Sequence, residues 1–121
     1  MNIEDIRNYC LGKRHVTEHF PFDKDTLVFK VAGKMFLLTG LKTWEKGNPF
    51  LNLKCDPEYA EALRSDYESI QPGYHMSKKH WNSVYLNHNE LQPQFVLKLI
   101  DDSYNLIVDS LTKKLRQELD L

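Results

Sequence analysis

The sequence predicts an α+β fold: a single compact domain whose mainly antiparallel sheet is flanked by an N-terminal and a long C-terminal helix. Three observations predict it. Two β-rich runs, residues 26–31 (TLVFKV) and 34–39 (KMFLLT), are joined only by Ala32-Gly33, a two-residue hairpin connection. A long stripe at helical spacing follows Gln92-Pro93: Phe95, Val96, Leu99, Ile100, Tyr104, Ile107, Val108 and Leu111. No repeat or linker divides the 121 residues, a length that fits one domain.

The elements follow in order. Residues 2–11 read as a helix with Asn2 as N-cap, Glu4 and Asp5 in the first turn, and Ile3, Ile6, Cys10 and Leu11 on one face. Gly12 stands where a helix stops. The pentad His15-Val16-Thr17-Glu18-His19 reads as a polar connection, ended by Phe20-Pro21-Phe22, which cannot continue a helix. In the hairpin, Leu27, Phe29 and Val31 share a face, and residues 35–38 are apolar on both faces, so this strand is expected at the sheet centre. Residues 40–49 read as a loop and 50–55 as a third strand. Asp56-Pro57-Glu58 opens a helix that runs to about Asp66. Ser69 to His75, with Pro72-Gly73, suits a short irregular edge strand. Ser77 suits the cap of a single turn through Lys78, Lys79 and His80, and residues 82–86 alternate as a strand. Leu115 and Leu119 extend the last helix, so residues 113–121 read as a charged amphipathic helical extension of a domain spanning 1–112. The expected order is α-β-β-β-α-β-β-α.

Composition narrows the function classes. Apolar residues are 41% and charged residues 27%, as in folded soluble domains. No apolar run approaches the ~20 residues that cross a bilayer, and the N-terminal MNIEDIRNYC lacks a secretory core, so no membrane association is expected. Cys10 and Cys55 read as buried thiols of a reducing compartment, which implies a cytoplasmic protein. Net charge is -1, so any nucleic-acid contact needs a local basic patch.

HVTEH matches H-x-x-E-H, an inverted zinc-protease pattern. A metal site of that kind needs both imidazoles on one helical turn. Here the pentad follows a helix stop and runs into Phe-Pro-Phe, so no metal is expected. Cys55 precedes a helix N-terminus, which lowers a thiol pKa, but Asp56 opposes that effect and a buried inert thiol is the default. Asp101 and Asp102 are adjacent on a helix and diverge. With no paired acid and base and no glycine-rich phosphate loop, neither an enzyme nor a cofactor is expected. The densest unusual stretch is His75-Met76-Ser77-Lys78-Lys79-His80-Trp81-Asn82. Lys78 and Lys79 suit phosphates, Trp81 suits stacking and Asn82 suits a base edge. The competing reading makes Trp81 a core anchor, the lysines a solvated face and Asn82 a turn residue.

Several blocks together resemble the MmcQ/YjbR family of small bacterial proteins. They are Phe20-Pro21-Phe22, Leu27 to Phe36, Leu53-Lys54-Cys55-Asp56-Pro57, Pro72-Gly73-Tyr74-His75 through Val84, and Leu99 to Tyr104. They stand in the family's order, and the P-G-Y-H-x-x-K-x-H-W-N block is the most specific. Two departures are the longer charged segment after Leu111 and Asp102, where family members often carry histidine. The resemblance implies a frataxin-like (CyaY-like) fold, similar to the MotA double-wing domain, and a DNA-binding role by fold analogy. The leading expectation is weak binding of double-stranded DNA through Lys54, Tyr74, Lys78, Lys79, His80, Trp81 and Asn82. Two alternatives stand beside it. One is a protein-interaction module, monomer or weak homodimer, using the last helix. The other is a small-molecule pocket lined by Tyr74, His75, His80 and Trp81.

Overall fold

A computed structural model describes all of residues 1–121. Eleven elements follow in chain order: α1 (Ile3–Leu11), β1 (Val16–His19), β2 (Thr26–Val31), β3 (Lys34–Gly40), α2 (Leu41–Glu45), β4 (Phe50–Lys54), α3 (Pro57–Asp66), β5 (Ile70–Pro72), β6 (Trp81–Tyr85), α4 (Pro93–Ser110) and α5 (Lys113–Leu119). All six strands form one sheet in the order β1-β2-β3-β4-β6-β5. Every neighbouring pair is antiparallel. The fold is the expected α+β architecture, with β3 near the centre and β5 at an edge. No helix is long and apolar enough to cross a membrane.

Local chemistry explains the elements. At α1, the Asn2 side chain accepts from the Asp5 N–H at 2.9 Å while the Asp5 carboxylate accepts from the Asn2 N–H at 2.8 Å, a reciprocal cap for otherwise orphaned donors. The β2–β3 turn places Ala32 at φ 51° and Gly33 at φ 77°, the two positive values that match a tight turn to strand twist. Asp56 caps α3 by accepting from Tyr59 N–H at 3.2 Å, with Pro57 in the first turn.

The structure adds three elements to the expected order. Val16–His19 is not a connection but edge strand β1, paired with β2 from Val16↔Val31 to His19↔Val28. Alternation turns Val16 and Glu18 toward the helices, and Arg7 of α1 grips Glu18 with two bonds of 2.7 and 2.8 Å. Residues 41–45 are not loop but the short helix α2, whose first N–H groups are taken by Asp25: its carbonyl accepts from Leu41 and its carboxylate from Lys42. The last helix does not run on through Leu115. Leu111 is extended, and the Thr112 hydroxyl caps a separate helix by accepting from Leu115 N–H at 3.1 Å.

The two faces of the sheet differ. On one, α1, α3 and α4 bury Ile6, Cys10, Ala60, Leu63, Leu99 and Ile100 against Phe29, Leu37, Leu51 and Val84. The opposite face holds a separate small cluster, Val28, Leu38 and Trp81, with Met35 and Met76 beside it and no helical residue in it. Its cover is the segment between β5 and β6. At the N-terminal corner, the Tyr9 hydroxyl donates to Asp101 at 2.7 Å and Lys13 binds the same oxygen, which ties the end of α1 to α4. That hydrogen bond to Asp101 holds the Tyr9 phenol up at about 12.

Candidate functional site

The residues nominated for DNA contact do not form one surface. Trp81 and Asn82 are consecutive in β6, so their side chains leave opposite faces of the sheet. The indole of Trp81 is 9% exposed and packs in the small cluster. Asn82 is 2% exposed and points toward α3, accepting from Arg64 Nε at 2.7 Å and donating to the Ala60 carbonyl at 3.4 Å. Both therefore serve packing rather than contact, which corrects their assignment as stacking and base-reading groups. The Lys78 ammonium folds back onto the Gly73 carbonyl at 3.0 Å, and its own carbonyl accepts from Arg64. Lys78 and Lys79 line a cleft with Arg64, Glu58 and Glu61, so two carboxylates offset part of its positive charge. His80 is exposed, and its carbonyl accepts from the Cys55 N–H at 2.8 Å. Lys54, half-buried at the end of β4, donates its backbone N–H to Ser103.

The specific sequence block instead builds a fixed loop. Gly73 lies against β6: a Cβ there would sit 2.8 Å from Trp81 Cβ and 2.9 Å from its carbonyl oxygen. Only a residue without a side chain permits that approach. The Tyr74 N–H donates to Ser83 Oγ at 2.9 Å, and the Tyr74 carbonyl accepts from Asn52 Nδ2 at 3.1 Å. Ser83 Oγ donates in turn to Asn52 Oδ1 at 2.6 Å. Asn52 and Ser83 are buried, so this network binds loop to sheet where water does not compete. At the loop's apex His75 takes φ 57°, an unusual conformation for a residue with a side chain.

The result is a cavity of about 440 Å³ on the sheet face away from α1, α3 and α4, with Thr43 of α2 in its lining. Leu38, Met35 and Asn52 contribute from the strands, Met76 and the Tyr74 and His75 rings from the loop, and Phe22 and Asp25 from the segment before β2. Phe50 and Tyr74 meet edge to face with centroids 5.9 Å apart, and Tyr74 contacts the His75 ring at 4.1 Å. Phe22 and Tyr74 are 63% and 56% exposed, large apolar groups left in water at the rim. The neighbouring Asp23 carboxylate accepts from the Thr26 and Asp25 N–H groups, at 2.6 and 2.9 Å, and they hold its pKa below the usual range. Of the residues nominated for a ligand pocket, Tyr74 and His75 line this cavity. Trp81 lies in the adjoining cluster, and His80 is not part of the lining. Sequence reasoning missed Phe22, Asp25, Phe50 and Asn52. The exposed Phe20-Pro21-Phe22 run was the available signal for the first.

The remaining candidates are structural. Burial pushes the Cys10 thiol up to about 12 and the Cys55 thiol up to about 11, Asp102 and Asp56 adding to the second, so neither is a thiolate at neutral pH. In HVTEH, His15 Nε2 meets the Leu119 carbonyl at 2.6 Å and His19 Nε2 meets Thr17 Oγ1 at 2.7 Å, while Glu18 is held by Arg7.

A six-stranded antiparallel sheet, helices on one face and a pinned loop over the other define a small α+β domain class. The chain belongs to the YjbR family, whose model matches residues 11–106. It is 45% identical over 111 residues to YbdF of Escherichia coli O157:H7, covering 92% of this chain and 88% of that protein. It is 31% identical over 119 residues to YjbR of Escherichia coli strain K12, covering 98% of both. The crystal structure of a Deinococcus radiodurans protein with the DUF419 domain superposes with a TM-score of 0.90 at 39% identity, covering 99% of this chain and 88% of that one. A Pseudomonas syringae protein superposes with a TM-score of 0.72 at 27% identity, covering 88% of this chain and 98% of that one.

Proposed function

We propose that this protein is a ligand-binding domain whose site is the cavity between the 73–76 loop and the segment before β2. One observation carries the reading: an aromatic-walled cavity of about 440 Å³, within the range of small-molecule sites, under a loop fixed by buried hydrogen bonds. A preformed wall spares a ligand the cost of ordering it. Binding without turnover suits the lining, which holds no thiol, no lysine and no paired carboxylates.

Contact with double-stranded DNA has weaker support. Its indole and amide are buried, one lysine is bonded to backbone, and the lysine pair shares its cleft with Glu58 and Glu61. A dimer through the tail also has little to recommend it. Asp120 pairs with Arg14, the Leu119 carbonyl meets His15, and Leu121 packs on the chain's own core.

The test is a fragment titration of isotope-labelled protein followed by amide NMR. Small aromatic fragments are expected to shift Thr26, Leu38, Thr39 and Gly40 together, leaving α1 and α4 unmoved. Uniform silence at those four positions rejects the proposal. A salt-dependent duplex-DNA response removed by Lys78→Ala/Lys79→Ala would put the polyanion reading in its place.

A further inference from the structure

The charge in the lining of the cavity is one-sided. Asp25 is the only carboxylate in its lining, and neither lysine nor arginine is among the lining residues. Asp25 is also fixed. Its Oδ1 accepts from the Lys42 N–H at 2.9 Å, and its carbonyl accepts from Leu41. Its other oxygen, Oδ2, has no hydrogen-bond partner and lies 3.2 Å from where a Cβ on Gly40 would stand. Gly40 thus leaves space beside a carboxylate oxygen that no protein group occupies. The N-terminus of α2, the nearest feature that attracts anions, is already capped by Asp25 itself. A second carboxylate, Asp23, is not in the lining, and its Oδ1 accepts from the Asp25 and Thr26 N–H groups. The nearby cations Lys24 and Lys42 do not line the cavity, and Lys42 acts on Asp23 as well as through its backbone on Asp25. The His75 ring in the lining lies against Tyr74.

The aromatic walls point the same way. Phe22, Phe50 and Tyr74 surround the space, and Tyr74 and Phe50 are held edge to face. The face of an aromatic ring is the negative part of its quadrupole and attracts an ammonium group. An anionic ligand would meet the Asp25 carboxylate with no lysine or arginine in the lining to offset it.

We infer that the cavity takes an organic cation: an apolar or aromatic body among Leu38, Met35 and Met76, with an ammonium group on Asp25 Oδ2. This inference rests on the cavity being a ligand site and adds the class of ligand. It is tested at pH 7 with three probes that share one body: phenethylamine, phenethyl alcohol and 3-phenylpropionate. Amide NMR titrations supply both affinity and location. The amine is expected to bind at the cavity about tenfold more tightly than the carboxylate, with the alcohol between them, in line with a charge-assisted contact. Asp25→Asn keeps an acceptor for the Lys42 N–H and removes the charge. It is expected to weaken the amine about tenfold and to abolish the preference. Gly40→Ala, which crowds Oδ2 without changing charge, is expected to weaken the amine more than the alcohol.

If the alcohol or carboxylate binds the cavity as well as the amine, or Asp25→Asn leaves the amine unchanged, the cationic class is overturned while the cavity remains a binding site. If none of the three shifts the cavity amides, this inference and the proposed function fall together.

Discussion

Ser103 is fully buried in the middle of the long apolar stripe of α4, and two sheet strands explain why a hydroxyl belongs there. β2 and β3 lose register between Phe29↔Leu37 and Lys30↔Met35, so Phe36 is an extra residue with no partner. Its carbonyl accepts from Ser103 Oγ at 2.6 Å, and Ser103 Oγ in turn accepts from the Lys54 N–H at 2.9 Å. One side chain satisfies two backbone groups on two strands. Ser103→Ala would orphan both in a dry site, and the expected cost is about 2–3 kcal/mol, read as a lower midpoint in urea with an unchanged slope. A loss below about 0.5 kcal/mol would mean that water or a shifted backbone replaces the bonds. Nothing in the local sequence marked this residue, because both its partners are remote. The same reason leaves two readings open for Trp81 and Asn82 in the sequence. Their types suit contact with a ligand, but which side of a strand each takes depends on β6 lying between β4 and β5.

At the scale of elements, legibility followed the range of the determining chemistry. The β2–β3 hairpin, α1 and α3 are specified by neighbours in sequence: a turn glycine, a reciprocal cap, and Asp-Pro at a helix start. α2 needs Asp25, fifteen or more positions earlier in the chain, and β1 needs β2 and Arg7. Neither has a local signature strong enough to stand alone. The joint between β1 and α1 makes a pH prediction. The hydrogen bond from Arg7 holds the Glu18 carboxyl below its usual value of 4.5 in the folded chain. A depressed carboxylate stabilises the fold above its unfolded pKa, and that contribution is lost as pH falls through the lower folded value. Glu18→Gln should therefore be less stable than the wild type at pH 7, and the gap should shrink steadily below pH 4.5. Urea midpoints measured at pH 7 and pH 3 check it. A gap independent of pH would assign the loss to packing of the strand rather than to the ion pair.

The molecule as a whole separates stability from its open face. The helix side carries the large core, in which Phe36, Leu37, Ile6 and Ile100 are fully buried. The cavity side has only a small cluster beneath a loop, and its rim aromatics stand in water. A fold of this size has little stability in reserve, so large exposed rings at one place are more readily explained by use than by folding. That division can be measured. Phe22→Ser and Tyr74→Ser remove rings that are 63% and 56% exposed, and the backbone bonds of Tyr74 to Ser83 and Asn52 do not depend on its ring. Each is expected to change unfolding free energy by less than about 1 kcal/mol. Each should also cut the affinity of an aromatic probe for the cavity at least about fivefold, the share of one aromatic wall. Phe36→Ala should do the reverse, costing about 3–5 kcal/mol through the void it leaves in the helix-side core. At temperatures where that variant stays folded, it should leave probe affinity near the wild-type value. Rim variants that unfold the protein, or that bind the probe normally, would show that the exposed rings belong to the fold and not to a ligand site.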